Sequence, residues 1–391
     1  MDATHFDFNH HSHRRFNPLS SSWVLCSPHR TQRPWQGKEE VEDAANQRPA
    51  YDSSCYLCPG NKRANNSATN PDYKDTFIFE NDFPAVRQNQ PNLGSFSDTN
   101  PLLKVESVRG QCHVVCFSPR HDITLADMTS NEILPVIDTW INIYESMRKN
   151  PDINHVQIFE NKGAIMGCSN PHPHGQVWST QDIPQGPAQE LVSLAQYKEK
   201  TGGCMLCDYV KTEVDVMTKA ASTASQDSDT TTATKPLAEN PEGSRVVCEN
   251  SSFLCVVPFW ATWPFETMLL ARTHLSRLSD MNETQKEDLA DILRRMTCRY
   301  DNLFKCPFPY SMGIHQAPTN GVQEHEDLAH VHFHFYPPLL RSATVQKFLV
   351  GFELLAQAQR DITPEQAAKR LSDCSEVHYK APVKDSNTPH Y

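Results

Sequence analysis

The sequence predicts an α+β protein assembled from two copies of one unit, and three observations lead there. The pattern H-x-x-x-L-x-D-M occurs twice, as His121, Leu125, Asp127, Met128 and as His274, Leu278, Asp280, Met281. Each copy is followed by a helix start: Thr129 with Glu132, and Asn282 with Gln285, place an N-cap residue and its partner three positions apart. Beyond each helix comes a strand-like, histidine-rich segment, "HPHGQVW" and "HVHFHFY". Matched motifs in matched order mark an internal repeat, with one unit in 1–195 and the other in 196–391.

Along the chain, the first unit supplies Cys55-x-x-Cys58 and "FENDF" (79–83). "HVVCFSPRHDITLADM" (113–128), the capped helix, "VQIFENKG" and "GCSNPHPHGQVW" (167–178) follow. Prolines 171 and 173 forbid a helix in the last of these, and Gln176-Val177-Trp178 starts a strand. The second unit repeats the order with Cys204-x-x-Cys207, "CENSSF", "TMLLARTHLSRLSDM", a capped helix, "SMGIHQAPTNG" and "HVHFHFY". It is interrupted by residues 218–245, "TKAASTASQDSDTTTATKPLAENPEGSR", which have almost nothing large and apolar to bury and are expected to be a mobile surface insertion. The stretch "ATVQKFLVGFELLAQAQRDITPEQAAKRL" is expected to form two helices. Val345, Leu349, Phe352 and Leu355 make a core-facing stripe in the first, and Thr363-Pro364-Glu365-Gln366 caps the second.

Composition narrows the class. A chain of 391 residues with 38% hydrophobic content and a mean hydropathy of -0.57 reads as soluble and globular. It shows no apolar run of membrane-spanning length and no secretory signal, so a cytoplasmic location is expected. The formal charge of -11 argues against nucleic acid as partner, yet leaves room for a small anion held by local arginines. Thirteen cysteines without an export signal point to reduced thiols and metal sites, not disulfides.

Cys55, Cys58, His121 and His172 offer two thiolates and two imidazoles, a set that suits a closed, structural zinc. In the second unit His330, His332 and His334 share one face of a strand, with His274 upstream; three alternating imidazoles fit a metal site or a catalytic row.

His172, His174 and Gln176 alternate along an extended chain and would face one side. If His172 binds metal, His174 is left with a free ring. A neutral imidazole is a capable nucleophile near neutral pH and a tolerable leaving group, so attack on phosphorus through a phosphohistidine-type intermediate is expected. Gln176, the Ser169 hydroxyl and the backbone of "GCSN" would donate to the phosphoryl oxygens. Glutamine can hydrogen-bond but cannot protonate a leaving group, so the site suits a departing group that needs no acid, such as a sugar phosphate with a second pKa of about 6.

At these residues the sequence resembles the galactose-1-phosphate uridylyltransferase family of the histidine-triad superfamily. "SPHRTQRPWQG" (27–37), "FENDF", "FENKGAIMGCSNPHPHGQVW" (159–178) and "HFYPPLLRSATVQKFLVGFELLAQAQRDITPEQAAKRL" (334–371) carry the likeness. It implies two histidine-triad-like units, each an antiparallel half-barrel sheet with helices packed on it. It also implies a ping-pong reaction in galactose metabolism: uridylate moves from UDP-glucose to His174 and then to galactose 1-phosphate, giving UDP-galactose and glucose 1-phosphate.

The resemblance further implies that Gln176 bonds the phosphoryl group and that Arg30, Arg33, Asn81, Asp82, Asn161 and Ser169 contact the nucleotide sugar. Lys347, Phe348, Val350, Gly351, Glu353 and Gln359 would reach the sugar from the partner of a homodimer. Cys55, Cys58, His121 and His172 would hold zinc, and Glu190, His274, His332 and His334 a second site taking iron or zinc. The repeat offers a competing set, Cys204, Cys207, His274 and His330, as a zinc site analogous to the first. Both cannot own His274, and the Glu190 set is preferred because it matches more of the family pattern.

Overall fold

The computed structural model describes residues 6–32, 48–65, 68–91, 93, 100, 102–226 and 243–381. A small sheet gathers the chain's two ends: β1 (His13–Asn17) pairs antiparallel with β2 (Ser22–Cys26), and β12 (Gln359–Arg360) pairs parallel with β2. Everything else is built around one nine-stranded antiparallel sheet. From the first unit come β3 (Phe77–Glu80), β4 (Gly110–Cys116), helix α1 (Ser130–Arg148), β5 (His155–Lys162) and β6 (His174–Thr180). Helices α2 (Gln185–Thr201) and α3 (Met205–Gln226) lead into the second unit. This contributes β7 (Val246–Glu249), β8 (Phe253–Val256), β9 (Thr267–Ala271), helix α4 (Glu283–Phe304), β10 (Tyr310–His315), helix α5 (Gln323–Leu328) and β11 (His332–Tyr336). Helices α6 (Phe352–Leu355) and α7 (Pro364–Ser372) flank β12.

The strand order β3-β4-β6-β5-β10-β11-β9-β8-β7 shows the repeat directly. β5 and β10 meet antiparallel at the centre, and β6, β4 and β3 on one side answer β11, β9 and β8 on the other. Helices α1 and α4 occupy equivalent places, each opened by the expected capping box, Thr129 with Glu132 and Asn282 with Gln285. The two units therefore share one open sheet and one core.

Strand alternation sorts the chemistry. Val177, Leu269, Phe333 and Phe335 point into a core with Trp140 and Tyr144 of α1 and Leu293, Met296 and Tyr300 of α4. Residues of opposite parity, including His174, Gln176, His332 and His334, face away from it. On that other side Met205, Leu206 and Val210 of α3 cover Met268 and Leu270, while Leu57 and Tyr73 pack on Val114. One face of the sheet carries the main core, while the other carries two smaller apolar clusters as well as these polar residues.

Two expectations are corrected. Residues 345–351 are not helical, because 345–347 turn back along 338–340 through a Leu339–Gln346 bridge and a Leu340 N–H bond to Val345 carbonyl at 2.8 Å. Gly351, at φ +53°, starts only the single turn of α6. Val345 is buried, but Phe352 is 52% and Leu355 is 89% exposed, so the stripe does not pack into the core. The second correction concerns 218–245: α3 runs on through Gln226, and 227–242 lie outside the described residues. The capped helix at Thr363 forms as expected, with Gln366 completing its box. From its first turn Glu365 binds Arg15 of β1 at 2.8 Å and Arg245 at 2.9 Å, tying both ends of the chain to the body. Among the described residues no helix is long and apolar enough to cross a membrane.

Candidate active site

His174 opens β6, and its neighbours explain why a glycine follows it. A side chain at Gly175 would stand 2.8 Å from the Phe159 carbonyl oxygen and 2.9 Å from the Phe117 ring, so only glycine lets the strand lie this close. The His174 Nδ1 sits 2.7 Å from the carbonyl oxygen of His172. A carbonyl only accepts, so Nδ1 carries the proton and Nε2 keeps the lone pair. Burial holds the imidazole below the usual histidine range, against the pull of that hydrogen bond. The ring is thus neutral and oriented.

His174 lines a small pocket of about 40 Å³ with Phe159, Asn161, Gly167, Cys168, Ser169, Gly175 and Gln176. The pocket adjoins an open cleft of about 640 Å³ that takes in Arg48, Lys162, Cys168, Ser169 and Pro171 to His174. Gln176 is held by its oxygen. Trp178 Nε1 donates to Gln176 Oε1 at 3.0 Å and Asn81 Nδ2 donates to it at 3.4 Å. An indole nitrogen can only donate, so the amide's orientation is fixed and its NH₂ remains to serve an anion. Asn161 is steadied by Ser311 Oγ at 2.6 Å. Ser169 lies exposed at the rim, 3.5 Å from the Tyr56 hydroxyl. Asp82 is locked to Arg63 beside Asn81. Arg33 lies outside the described residues.

The remaining predicted contacts form a separate group. Lys347 Nζ bonds Glu353 at 2.6 Å and Gln359 Oε1 at 3.4 Å; Gln359 in turn donates to Asp361 at 2.8 Å, and Asp361 faces Arg30 at 3.4 Å. Next to this network Phe348 is 61% and Val350 56% exposed, ahead of Gly351.

Three clusters of metal-type donors lie on the same side of the sheet, each with its ligand atoms within 4.8 Å of one another. The first is the expected Cys55, Cys58, His121 and His172, all buried. Cys58 Sγ is 3.5 Å from His172 Nδ1 and 3.7 Å from His121 Nδ1. His172 Nε2 donates to the Ser118 carbonyl at 2.9 Å, turning its unprotonated nitrogen toward the sulfur. The Leu57 N–H and the Asn170 amide, each 3.4 Å from Cys55 Sγ, suit a thiolate. This set fits a tetrahedral zinc.

The second cluster corrects the sequence reading. Glu190 of α2 is joined by His332 and His334, but its fourth member is His315 and not His274. His315 Nδ1 lies 2.8 Å from Glu190 Oε2. His332 Nδ1 donates to the His330 carbonyl at 2.6 Å, which leaves His332 Nε2 as a lone pair 3.5 Å from a carboxylate oxygen. Both His332 Nε2 and His334 Nε2 are buried without a hydrogen-bond partner. The His332 lone pair aimed at an anion is repelled unless a cation lies between them, so the donor chemistry fits a metal ion. The cause is strand register: His315 on β10 pairs directly with His332 on β11, whereas His274 lies beyond the end of β9. His274 joins the third cluster, with Cys204, Cys207 and His330. A signal for His315 was present, because aligning the repeats sets "IFENKGA" over "MGIHQAP" and matches His315 to Asn161.

Comparison with known proteins agrees with this geometry. The N-terminal domain of galactose-1-phosphate uridyl transferase matches residues 3–184 and its C-terminal domain residues 190–383. The galactose-1-phosphate uridylyltransferase of Saccharomyces cerevisiae is 48% identical over 390 residues, covering 97% of this chain and 99% of that one. This chain belongs to the galactose-1-phosphate uridyl transferase family. The Haemophilus influenzae galactose-1-phosphate uridylyltransferase is similarly related, 47% identical with 97% and 99% covered. An ADP-glucose phosphorylase structure from Arabidopsis thaliana superposes with a TM-score of 0.69 at 24% identity, over 93% of this chain and 99% of that one, which shows a shared fold. Family membership makes the chain a transferase.

Proposed function

We propose that this transferase moves uridylate from UDP-glucose to galactose 1-phosphate, giving UDP-galactose and glucose 1-phosphate, by way of a uridylyl group on His174. The observation that carries this reading is the fixed tautomer of His174, whose lone-pair Nε2 belongs to a ring lining a pocket of oriented donors. In the first step Nε2 attacks the α-phosphorus. The bond to the β-phosphate oxygen breaks, and glucose 1-phosphate leaves with that electron pair. The Gln176 NH₂, Asn161 and the exposed Ser169 hydroxyl are the groups offered to the phosphoryl oxygens as charge accumulates. In the second step an oxygen of galactose 1-phosphate attacks the same phosphorus, and the P–N bond breaks to restore the neutral ring. Neither leaving group needs a proton, consistent with an amide at position 176.

Cys55, Cys58, His121 and His172 would hold zinc, and Glu190, His315, His332 and His334 iron or zinc; both would brace strands near the pocket. The separate group of Arg30, Lys347, Phe348, Val350, Gly351, Glu353 and Gln359 is read as the portion that completes a partner's pocket in a homodimer. Its exposed apolar residues support that reading. Residues 1–195 and 196–391 are proposed as the two units, and the reduced thiols of the metal sets favour the cytoplasm.

The test is direct. The protein is incubated with UDP-glucose radiolabelled in its α-phosphate, and peptides are mapped for acid-labile, base-stable label, with ADP-glucose run in parallel. Label on His174 from UDP-glucose, and neither label nor turnover in folded His174→Ala, is expected. Retained turnover in that variant, or preferential labelling from ADP-glucose, overturns the proposal.

A further inference from the structure

We infer that Cys204, Cys207, His274 and His330 form a second Cys₂His₂ zinc site, which makes this a three-metal protein. Cys204 Sγ and Cys207 Sγ each lie 3.5 Å from His330 Nδ1, and Cys207 Sγ lies 3.9 Å from His274 Nδ1. Two thiolates and two imidazoles in a tetrahedral-sized cluster select zinc, and the two negative sulfurs neutralise the dication. His330 is prepared for this. Its Nε2 donates to the Ala271 carbonyl at 2.9 Å, so the unprotonated Nδ1 faces both sulfurs.

The arrangement repeats the backbone hydrogen bonds that orient the histidines around the first Cys₂His₂ set. Ser118 stands three residues before His121 and accepts from His172; Ala271 stands three before His274 and accepts from His330, both at 2.9 Å. One step further on, His174 donates to the His172 carbonyl at 2.7 Å, and His332 donates to the His330 carbonyl at 2.6 Å. A chance gathering of cysteine and histidine would not reproduce the hydrogen bonds that orient each ring. The second set also gains from its place in the fold. Cys204 immediately precedes the 22-residue α3 and Cys207 lies in its first turn, where unpaired N–H groups favour thiolates.

Bound there, zinc would staple the start of α3 to the loop after β9 and to the entry of β11. Through the His330 carbonyl it would steady His332, a member of the Glu190 cluster. The site is more open than the first, since His274 is exposed and both sulfurs are only half-buried.

Two measurements on the full-length purified protein test this. In the first, an alkylating agent is applied under native conditions and the labelled cysteines are mapped by mass spectrometry. Cys374, half-buried like Cys204 and Cys207 but outside any cluster, is the internal reference. Cys204 and Cys207 should label at least ten-fold more slowly than Cys374. Labelling as fast as Cys374, or recovery of the pair as a disulfide, overturns the assignment. In the second, Cys204→Ser/Cys207→Ser should carry one zinc fewer per chain by elemental analysis; an unchanged zinc content overturns it too. The labelling needs no variant, so a misfolded double mutant leaves the proposal decidable.

Discussion

Replacing Gln176 by glutamate tests the most specific feature of the pocket. The amide oxygen is already occupied by Trp178 Nε1 at 3.0 Å and Asn81 Nδ2 at 3.4 Å, and only the NH₂ end is free to meet a phosphoryl oxygen. Gln176→Glu keeps the shape and both of those bonds but turns the free end into an anion. Losing a donor to a charged oxygen costs about 1.5–3 kcal/mol, roughly 10- to 150-fold in rate, and Gln176→Ala should show that loss alone. The glutamate adds repulsion: two unit charges about 3.5 Å apart at an effective dielectric constant near 20 give up to about 5 kcal/mol. Gln176→Glu should therefore be slower than the alanine variant by at least a further ~10-fold. Trp178→Phe removes only the clamp, and because the amide can still be selected in the right orientation it should cost about 1 kcal/mol or less. The assay is rapid-quench measurement of the first half-reaction, with label transferred to enzyme at saturating UDP-glucose and folding checked by circular dichroism. A glutamate variant as fast as the alanine variant would mean that the NH₂ end of residue 176 does not face the phosphoryl group.

Three other outcomes follow from the geometry. His315→Ala should remove about one metal equivalent per chain while sparing the Cys55 set, whereas His274→Ala should leave the Glu190 site loaded; elemental analysis distinguishes them. Burial pushes the Glu160 carboxyl up to about 7, against the pull of Lys162 and the Tyr310 hydroxyl. The unfolded chain then ionises first as pH rises from about 4.5 toward 7, and stability falls across that window by roughly 3 kcal/mol. Glu160→Gln should flatten the slope, as read from urea midpoints between about pH 5 and 7. Finally, Leu354 and Leu355 are 73% and 89% exposed on the arm proposed as a dimer contact. Leu354→Asp should weaken self-association by roughly 10-fold or more in sedimentation, with activity falling in step, since burying a leucine is worth about 1.5–3 kcal/mol.

The sequence carried the repeat and the helix caps because each is written in short-range patterns that folding preserves; the Cys55 set, whose members lie far apart in the chain, is legible only through its Cys-x-x-Cys spacing and the repeated histidines. Alternation likewise placed His174 and Gln176 in one pocket. What it could not carry was pairing between distant strands. His315 stands alone in "SMGIHQAP" and becomes a candidate ligand only when β10 lies beside β11. His274 illustrates the opposite error. Its place in the repeat matches His121 and points to the cysteine set, where the structure puts it, whereas likeness to the family pattern points to Glu190. The stripe at 345–355 failed for another reason: helical periodicity cannot register that 345–347 are drawn back onto 338–340.

The paired registers also show how one frame serves two purposes. Gln176 pairs with Phe159 as His334 pairs with Gly313, which sets Asn161 opposite His174 as His315 is set opposite His332. Both units thus share a histidine whose Nδ1 proton is tied to the carbonyl of a metal-set residue and whose Nε2 is left with its lone pair. What differs is the company around that nitrogen. In the first unit its neighbours are amides, which cannot bind a hard cation through a free NH₂ but can steady a phosphoryl anion. In the second they are two imidazoles and the Glu190 carboxylate, a donor set that suits a cation instead. Exchange of amide for imidazole at the positions matching 161 and 176, together with a carboxylate from α2, separates the metal-type donor set from the donor-lined pocket on the same backbone.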